Sequence, residues 1–354
     1  MPAFDGTTMD VSKLRQHLCT ENLKILRRPT PRQMTAPYLP ILLAALMIEE
    51  RITFPLFLKV SEGEEGEIRF LPYLQEGEIL QLAWVESLLK AGIKRLYFHE
   101  QDLDRAVAYL NNHLLLTSAG PANYREKFCI LREHLSLSLY RALNKPHLAA
   151  TVRMVKKSLE HLARFMEKKD FPWKLVWEMI HRDYTLYNHS VNVGLMGMAF
   201  MGFLGKSGKD RLLVGLAGLF HDVGLTHLKE EVIPKTRPLT DAEQEVLKRH
   251  PTLGYRLLKN NPEIPVDSLR LILEHHESAD GCGYPNGLPL RRQHPYTRIL
   301  FILEIYDGLT TFRPDRPAHT PFAALRILQD QQSIPGLACD PRAIKQFIQF
   351  LALA

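Results

Sequence analysis

The spacing of apolar residues changes near residue 120. Before that point, short aromatic and β-branched runs alternate with stretches of helical spacing, which predicts a small α/β module within residues 1–118. The predicted strands are Arg51–Val60, Glu67–Tyr73 and Lys94–Phe98, and the predicted helices are Tyr38–Glu50, Glu78–Ala91 and Asp102–Leu116. The first two strands flank an acidic, glycine-containing segment and are expected to form a hairpin, with Pro55 and Pro72 at edge positions.

After Gly120-Pro121 helical periods dominate, and they predict an all-α region. The predicted helices are Tyr124–Asn144, Pro146–Lys168, Trp173–His181, Leu186–Leu204, Asp210–Asp222, Asp241–Lys259, Asp267–Glu274, Tyr296–Leu309, Pro321–Gln331 and Pro341–Ala354. We divide this region into a helical connector, residues 119–178, and a second domain, residues 179–354. The connector helices are candidates for a stalk or for a homodimer surface, and the sequence leaves both open. The predicted fold class is α+β overall.

Composition narrows the class of protein. The chain is 45% hydrophobic and 24% charged, as in ordinary globular proteins, and its net charge of +6 suits an anionic substrate. The sequence contains no Lys/Arg block with interleaved aromatic residues, so we do not expect a nucleic-acid partner. The four cysteines form no CxxC pair, and no apolar run reaches the ~20 residues needed to span a membrane. We therefore expect a cytoplasmic protein with reduced thiols and no membrane partner.

Residues 1–118 contain no grouping of His, Asp, Glu or Ser that suggests chemistry. We interpret this module as a regulatory or interaction domain with an unknown regulator. The candidate chemistry lies in the second domain.

A histidine pair and a glycine-rich loop stand out in the second domain. His275 and His276 close an apolar helical run, and Gly281, Gly283 and Gly287 follow at once. Glycine permits backbone torsions that other residues avoid, and Pro285 fixes one φ beside Tyr284. The stretch is interpreted as metal ligands beside a shaped loop. The alternative is a surface helix end followed by a polar turn.

His221-Asp222 favours the metal interpretation. The pair ends an apolar run, Arg211–Phe220, that is long enough for a buried helix. Burying a carboxylate is costly unless a charge partner is present, and a cation neutralises the carboxylate while accepting an imidazole nitrogen.

Three further candidates lie on or beside predicted apolar helices: His189, His250 and Asp307. Each alone is more often a satisfied core residue, but their shared placement strengthens the case. Five imidazoles and two carboxylates exceed the needs of one ion. Nitrogen and oxygen ligands without thiolate favour iron or manganese over structural zinc. Two cations ~3.5–4 Å apart suit phosphodiester hydrolysis.

These residues resemble a known family. His221-Asp222 with His250, His275-His276 and Asp307 is similar to the HD superfamily of metal-dependent phosphohydrolases. The string from His275 to Leu288, HHESADGCGYPNGL, resembles the HD-GYP signature HHExxDGxGYPxGL. The resemblance covers residues 179–354 and implies an all-α HD-type helical domain. It also implies a bacterial second-messenger phosphodiesterase that hydrolyses cyclic di-GMP to pGpG and/or GMP.

The resemblance also implies residue roles. Asp222 matches the carboxylate that bridges two metals, and a metal-bridging hydroxide would be the nucleophile, which makes Asp222 and His221 the catalytic pair. The implied metal ligands are His189, His221, Asp222, His250, His275, His276 and Asp307. The implied substrate-binding residues are Gly283, Tyr284, Pro285, Arg313 and Arg316.

Departures from the family pattern keep alternatives open. Leu225 replaces a lysine that usually lies near the scissile phosphate, so activity is expected to be slow or to use Lys229 or Lys235. Thr185 replaces a glutamate that helps hold a third metal, so two metals are expected, and Ser278 replaces a frequent arginine. The alternatives are a cyclic-dinucleotide receptor with weak activity and a phosphohydrolase of another cyclic nucleotide or of a mononucleotide.

Overall fold

The computed structural model describes residues 9–10, 38–62, 67–116, 124–144, 148–168, 171–180, 186–228, 239–312, 317–331 and 334–352. The chain divides into two compact units, Met1–Leu137 and Ser138–Ala354. The division falls inside one long helix, Tyr124–Asn144. The predicted domain boundaries at residues 118 and 178 stay predictions.

The first unit contains a five-stranded sheet. Its strands are β1 (Met9–Asp10), β2 (Tyr38–Leu42), β3 (Leu56–Glu62), β4 (Glu67–Leu74) and β5 (Arg95–His99). The predicted hairpin is present, because β3 and β4 pair antiparallel from Leu56 with Leu74 to Glu62 with Glu67. Strand β5 pairs antiparallel with β2 and β3, and β1 runs parallel to β3. Pro72 lies on β4, which pairs only with β3 among the described strands.

Two helices, α1 (Leu82–Lys90) and α2 (Leu103–Leu116), accompany the sheet in the same unit. The predicted helix Tyr38–Glu50 is wrong. Residues 38–42 form β2, in which Leu39 and Ile41 are buried and their neighbours are partly exposed, and a 3₁₀ turn follows at Leu43–Ala45. Burial that alternates from one residue to the next is typical of a strand, and pairing with β5 satisfies the backbone hydrogen-bonding groups of β2.

The described part of the chain from residue 124 onward is built on helices. They are α3 (Tyr124–Asn144), α4 (Leu148–Met166), α5 (Lys174–Met179), α6 (Leu186–Phe203), α7 (Gly208–Phe220), α8 (Asp241–Leu247), α9 (His250–Leu258), α10 (Val266–Glu274), α11 (Pro295–Thr310), α12 (Pro321–Asp330) and α13 (Pro341–Leu351). The predicted α+β class, with an α/β module followed by a helical domain, is confirmed. Among the described helices, none has the length and apolar character needed to cross a bilayer.

One predicted helix, Asp241–Lys259, is two helices in the structure. Helix α8 ends at Leu247, and α9 begins at His250 with Pro251 in its first turn. Proline is compatible with a first helical turn but lacks the N–H that a continuous helix would need. The break gives His250 a helix-start position, which matters for the site described below.

Helices α6 and α7 pack closely and antiparallel. A Cβ on Gly218 would lie 2.7 Å from Cα and N of Gly194, and a Cβ on Gly215 would lie 2.8 Å from the Met198 side chain. The middle of α6 therefore meets the last turn of α7. Small residues allow this approach because no side chain separates the two backbones.

We expect Gly218→Ala to destabilise the second unit. The added methyl meets backbone atoms of Gly194, which cannot rotate away, so overpacking should lower the free energy of unfolding by about 1–3 kcal/mol. The measurement is urea unfolding followed by circular dichroism. Gly208→Ala in the same helix is the matched control, since its methyl meets only the end of the Glu167 side chain. Equal stability of the two variants would contradict this account of the packing.

Candidate metal centre

The antiparallel pair α6 and α7 brings the first predicted ligands together. His189 lies in the first turn of α6, and His221 caps the end of α7. Their ring centroids are 5.2 Å apart, and both side chains are buried. The close helix packing thus joins residues that are 32 positions apart in sequence.

A second close approach places His250. A Cβ on Gly224 would lie 2.0 Å from the carbonyl oxygen of His250 and 2.6 Å from N of Gly254. The turn after Asp222 therefore packs directly on the first turn of α9. Only glycine fits there, and this contact sets His250 Nε2 3.2 Å from Asp222 Oδ1.

Three histidines share one orientation. Nδ1 lies 2.8 Å from the Gly218 carbonyl oxygen in His221, 2.7 Å from that of Leu247 in His250, and 2.7 Å from that of Ile272 in His275. A carbonyl oxygen can only accept, so Nδ1 carries a proton in each ring and Nε2 is the nitrogen left to bind a cation. In each case the carbonyl lies three residues before the histidine, and the helix end itself fixes the tautomer.

Asp222 lies between two groups of imidazoles. Its Oδ1 is 3.2 Å from Nε2 of His250 and 3.8 Å from Nε2 of His275. Its Oδ2 is 3.3 Å from Nε2 of His221 and 3.9 Å from Nε2 of His189. The two carboxylate oxygens therefore face different sets of nitrogen donors.

Electrostatics of the centre favour an ionised Asp222, a protonated His221, and neutral His275 and His276. Burial opposes ionisation of Asp222, but His221 and His250 outweigh it and hold the pKa of Asp222 well below its usual range. Burial would lower the pKa of His221, yet Asp222 raises it to about 9. Burial, with the neighbouring histidines, lowers the pKa of His275 and His276 well below the ordinary value. Both rings are therefore neutral at pH 7 and present lone pairs.

Asp307, on α11, contacts the first group through His189. Its Oδ2 is 2.7 Å from Nδ1 of His189, and its Oδ1 accepts a hydrogen bond of 3.0 Å from the Asn192 amide. All three residues are buried. A carboxylate on Nδ1 leaves Nε2 of His189 to face Asp222. The predicted role of Asp307 as a direct ligand stays a prediction.

The glycine-rich loop packs against His276. The Tyr284 ring stacks on the His276 ring with 4.5 Å between centroids, and the Tyr284 N–H donates to the His276 carbonyl oxygen at 3.1 Å. A Cβ on Gly283 would lie 2.3 Å from that same oxygen, so this position requires glycine. The Tyr284-Pro285 peptide bond is cis. The loop thus puts the phenol beside the second group of imidazoles, and burial raises its pKa.

Glu277 fixes the glycine-rich loop through hydrogen bonds to its backbone. Its buried carboxylate accepts hydrogen bonds of 2.7 Å from the N–H groups of Asn286 and Leu288. Charge-assisted bonds to backbone amides are among the stronger hydrogen bonds in proteins. Glu277 therefore fixes the segment that carries Tyr284.

Several predicted residues occupy other places. Arg313, Arg316, Lys229, Lys235 and Thr185 lie outside the described residues. Leu225 is buried in the 3₁₀ turn that follows Asp222. Ser278 is buried and donates to Asp280, whose Oδ2 accepts from the Gly336 N–H at 3.0 Å.

Sequence reasoning missed three polar residues around the centre: Asn192, Glu277 and Glu304. Glu277 stands within the recognised motif, so its position was a usable signal. Asn192 follows His189 by three residues and Glu304 precedes Asp307 by three, so each shares a helix face with a predicted ligand. Glu304 Oε2 lies 3.4 Å from Nδ1 of His276.

The donor atoms fit metal ions. Two groups, His189 with His221 and Asp222, and His250 with His275 and His276, each bring one ligand atom per residue within 4.8 Å of the others. Nε2 of His221 is buried and makes no hydrogen bond, although Asp222 is near. A cation bound to Nε2 of His221 would take the place of a proton between His221 and Asp222. These residues could therefore hold metal ions.

Parts of the chain are similar to known proteins. The family described as "HD domain" matches residues 198–334. The chain is 36% identical over 148 residues to the cyclic di-GMP phosphodiesterase response regulator RpfG of Xanthomonas campestris pv. campestris, which covers 41% of this chain and 38% of RpfG. It is 26% identical over 216 residues to a cyclic di-GMP phosphodiesterase of Thermotoga maritima, with 60% and 57% covered.

A solved structure shares the fold. Bd1817, a HDG"Y"P protein from Bdellovibrio bacteriovorus, matches with a TM-score of 0.65 and 18% identity, over 89% of this chain and 100% of that one. Residues 198–334 thus match an HD domain, and the resemblance to the HD-GYP subfamily is confirmed. The chain spans less than two thirds of the length of both curated relatives.

We expect Glu277→Ala to release the glycine-rich loop. The change leaves two amides without their acceptor, which should cost about 1–3 kcal/mol and speed amide hydrogen exchange at Asn286 and Leu288. Hydrogen exchange with mass spectrometry measures the effect on peptides covering residues 281–290. The exposed Glu245→Ala on α8 is the control. Unchanged exchange in those peptides would show that other contacts hold the loop.

Proposed function

We propose that this chain is a metal-dependent phosphodiesterase that hydrolyses cyclic di-GMP to pGpG and/or GMP. The observation that carries the proposal is the position of Asp222, whose two oxygens face separate groups of histidines. Such a carboxylate suits a pair of divalent cations, which we propose to be iron or manganese because the donors are imidazole and carboxylate. The two curated relatives are cyclic di-GMP phosphodiesterases, which supports cyclic di-GMP as the substrate.

The chemistry follows from the donor set. When bound, two cations would supply Lewis acidity for attack on a phosphodiester. Water adds at phosphorus, the bond to the 3′ oxygen breaks, and the leaving oxygen takes the proton, which gives linear pGpG. A second hydrolysis gives GMP. In this scheme His189 and His221 would hold one ion, His250, His275 and His276 would hold the other, and Asp222 would serve both.

The loop at Gly283, Tyr284 and Pro285 is proposed to line the substrate pocket. Tyr284 is stacked on His276, so a base or ribose resting on the phenol would lie beside the second ion site. Arg313 and Arg316 are proposed to contact phosphate, because guanidinium groups bind phosphate oxygens in a bidentate manner. Residues 1–118 are proposed to regulate the activity, and the connector helices remain candidates for a dimer surface.

A receptor with weak activity is the second candidate, because Leu225 is buried where the family has a lysine. Without that charge, a bound dinucleotide would lack one electrostatic contribution to the transition state. Steady hydrolysis of cyclic di-GMP would favour the phosphodiesterase over the receptor. Hydrolysis of a hybrid cyclic GMP-AMP or of a mononucleotide in preference to cyclic di-GMP would change the substrate class.

The direct test is anaerobic purification, metal analysis and product analysis with cyclic di-GMP, in wild type and Asp222→Ala. We expect about two iron or manganese ions per wild-type chain and formation of pGpG or GMP. Loss of an outer partner of a metal ligand costs about 10–100-fold, so loss of the shared ligand should reduce activity by more than about 100-fold and deplete metal.

Asp241→Ala, on the exposed first turn of α8, is the matched control and should retain both metal and activity. Metal-loaded wild type that binds cyclic di-GMP without cleaving it would support the receptor. An active, metal-replete Asp222→Ala would reject the assigned centre.

We expect Leu225→Lys to raise kcat by about 10-fold or more with little change in metal content, because it restores a cation beside the reacting phosphate. The measurement is steady-state hydrolysis of cyclic di-GMP. Leu225→Met keeps a neutral side chain of similar size and separates charge from shape. No gain in the lysine variant would mean that another group already supplies the charge.

A further inference from the structure

Helix α11 presents two carboxylates to the centre, one turn apart. Asp307 Oδ2 lies 2.7 Å from Nδ1 of His189, and Glu304 Oε2 lies 3.4 Å from Nδ1 of His276. These histidines belong to different groups of donors. Residues at i and i+3 share a helix face, so one helix serves both groups.

The His276 ring is confined on two sides. Tyr284 stacks on its face, and the His250 ring approaches edge-on with centroids 4.9 Å apart. Glu304 occupies the Nδ1 edge, and 17% of its side chain is exposed. Nδ1 of His221, His250 and His275 each lies against a carbonyl oxygen, whereas Nδ1 of His276 lies against the Glu304 carboxylate. A carboxylate there would hold the proton on Nδ1 and aim Nε2 at a cation.

The distribution of carboxylates between the two groups of histidines also supports a role for Glu304 beside His276. The group of His250, His275 and His276 contains no carboxylate, and Asp222, which lies 3.2 Å from Nε2 of His250, also faces the other group. Asp307 adds a second negative charge on the His189 side. Glu304 would give the His276 side the matching charge, so that each divalent cation has one carboxylate of its own beside the shared one.

We propose that Glu304 is a positioning residue of the second cation site, where it orients His276 and supplies negative charge. The inference rests on the proposed two-cation centre. It assigns a function to a residue outside the seven predicted ligands. Glu304 would act through His276 and through its field, without contacting the reacting phosphate.

The test is a double-mutant design read out as the Kd for Mn²⁺, measured by calorimetry on the full chain. His189→Gln weakens the first site, so the remaining Mn²⁺ reports the second, and His276→Gln does the reverse. We expect Glu304→Gln to raise the Kd about 10–100-fold in the His189→Gln background. In the His276→Gln background we expect a change of less than about 3-fold, because the affected site is already lost.

Asp307→Asn is the crossed control, and it should weaken Mn²⁺ binding in the His276→Gln background instead. Glu304→Asp keeps the charge on a shorter side chain and should bind Mn²⁺ more tightly than Glu304→Gln. If the role of Glu304 were purely structural, the Kd for Mn²⁺ would not depend on its charge. Thermal unfolding of each variant checks that the chain is folded.

Two results overturn the inference: an unchanged Kd for Glu304→Gln in the His189→Gln background, or equal weakening in both backgrounds. Wild type that binds fewer than two Mn²⁺ ions would instead reject the two-cation centre of the proposed function. Wild type with two ions and an indifferent Glu304→Gln rejects only the role of Glu304.

Discussion

The rest of the site depends on one buried carboxylate, that of Asp222. An ionised carboxylate in the interior needs compensation, and here four imidazole nitrogens lie within 3.9 Å of its two oxygens. Those nitrogens come from the ends of four separate helices. Holding them in place therefore constrains the packing of α6, α7, α9 and α10 at once, and links the stability of the bundle to the chemistry of its centre.

Contacts between backbone atoms fix the positions of the helix ends that carry the imidazoles. Gly218 lets α7 approach α6, and Gly224 lets the next turn approach α9, so the imidazoles are set by main-chain packing rather than by flexible side chains. The Nδ1 contacts of His221, His250 and His275 with carbonyl oxygens three residues earlier complete the arrangement. A helix end thereby acts as an orienting group, which removes rotational freedom that a ligand would otherwise lose on binding metal.

The loop and α11 close the site from two other directions. Glu277 fixes the backbone that carries Tyr284, and the phenol covers one face of His276. Helix α11 brings Asp307 to one group of histidines and Glu304 to the other. The two groups thus share Asp222 but have separate supporting carboxylates, an arrangement suited to tuning each site independently.

The helical second domain, the hairpin and the residue types of the centre could be predicted from the sequence, because apolar periods and the HHExxDGxGYP string are local features. It could not determine that Tyr38–Leu42 forms a strand, since pairing with distant Arg95–His99 overrides local spacing, nor that α8 and α9 are separate. The pairing of each Asp222 oxygen with its histidines, and the approach of Glu304 to His276, could be seen only in the folded chain. Such contacts arise from the crossing of helices that are far apart in sequence, and no local pattern encodes those distances.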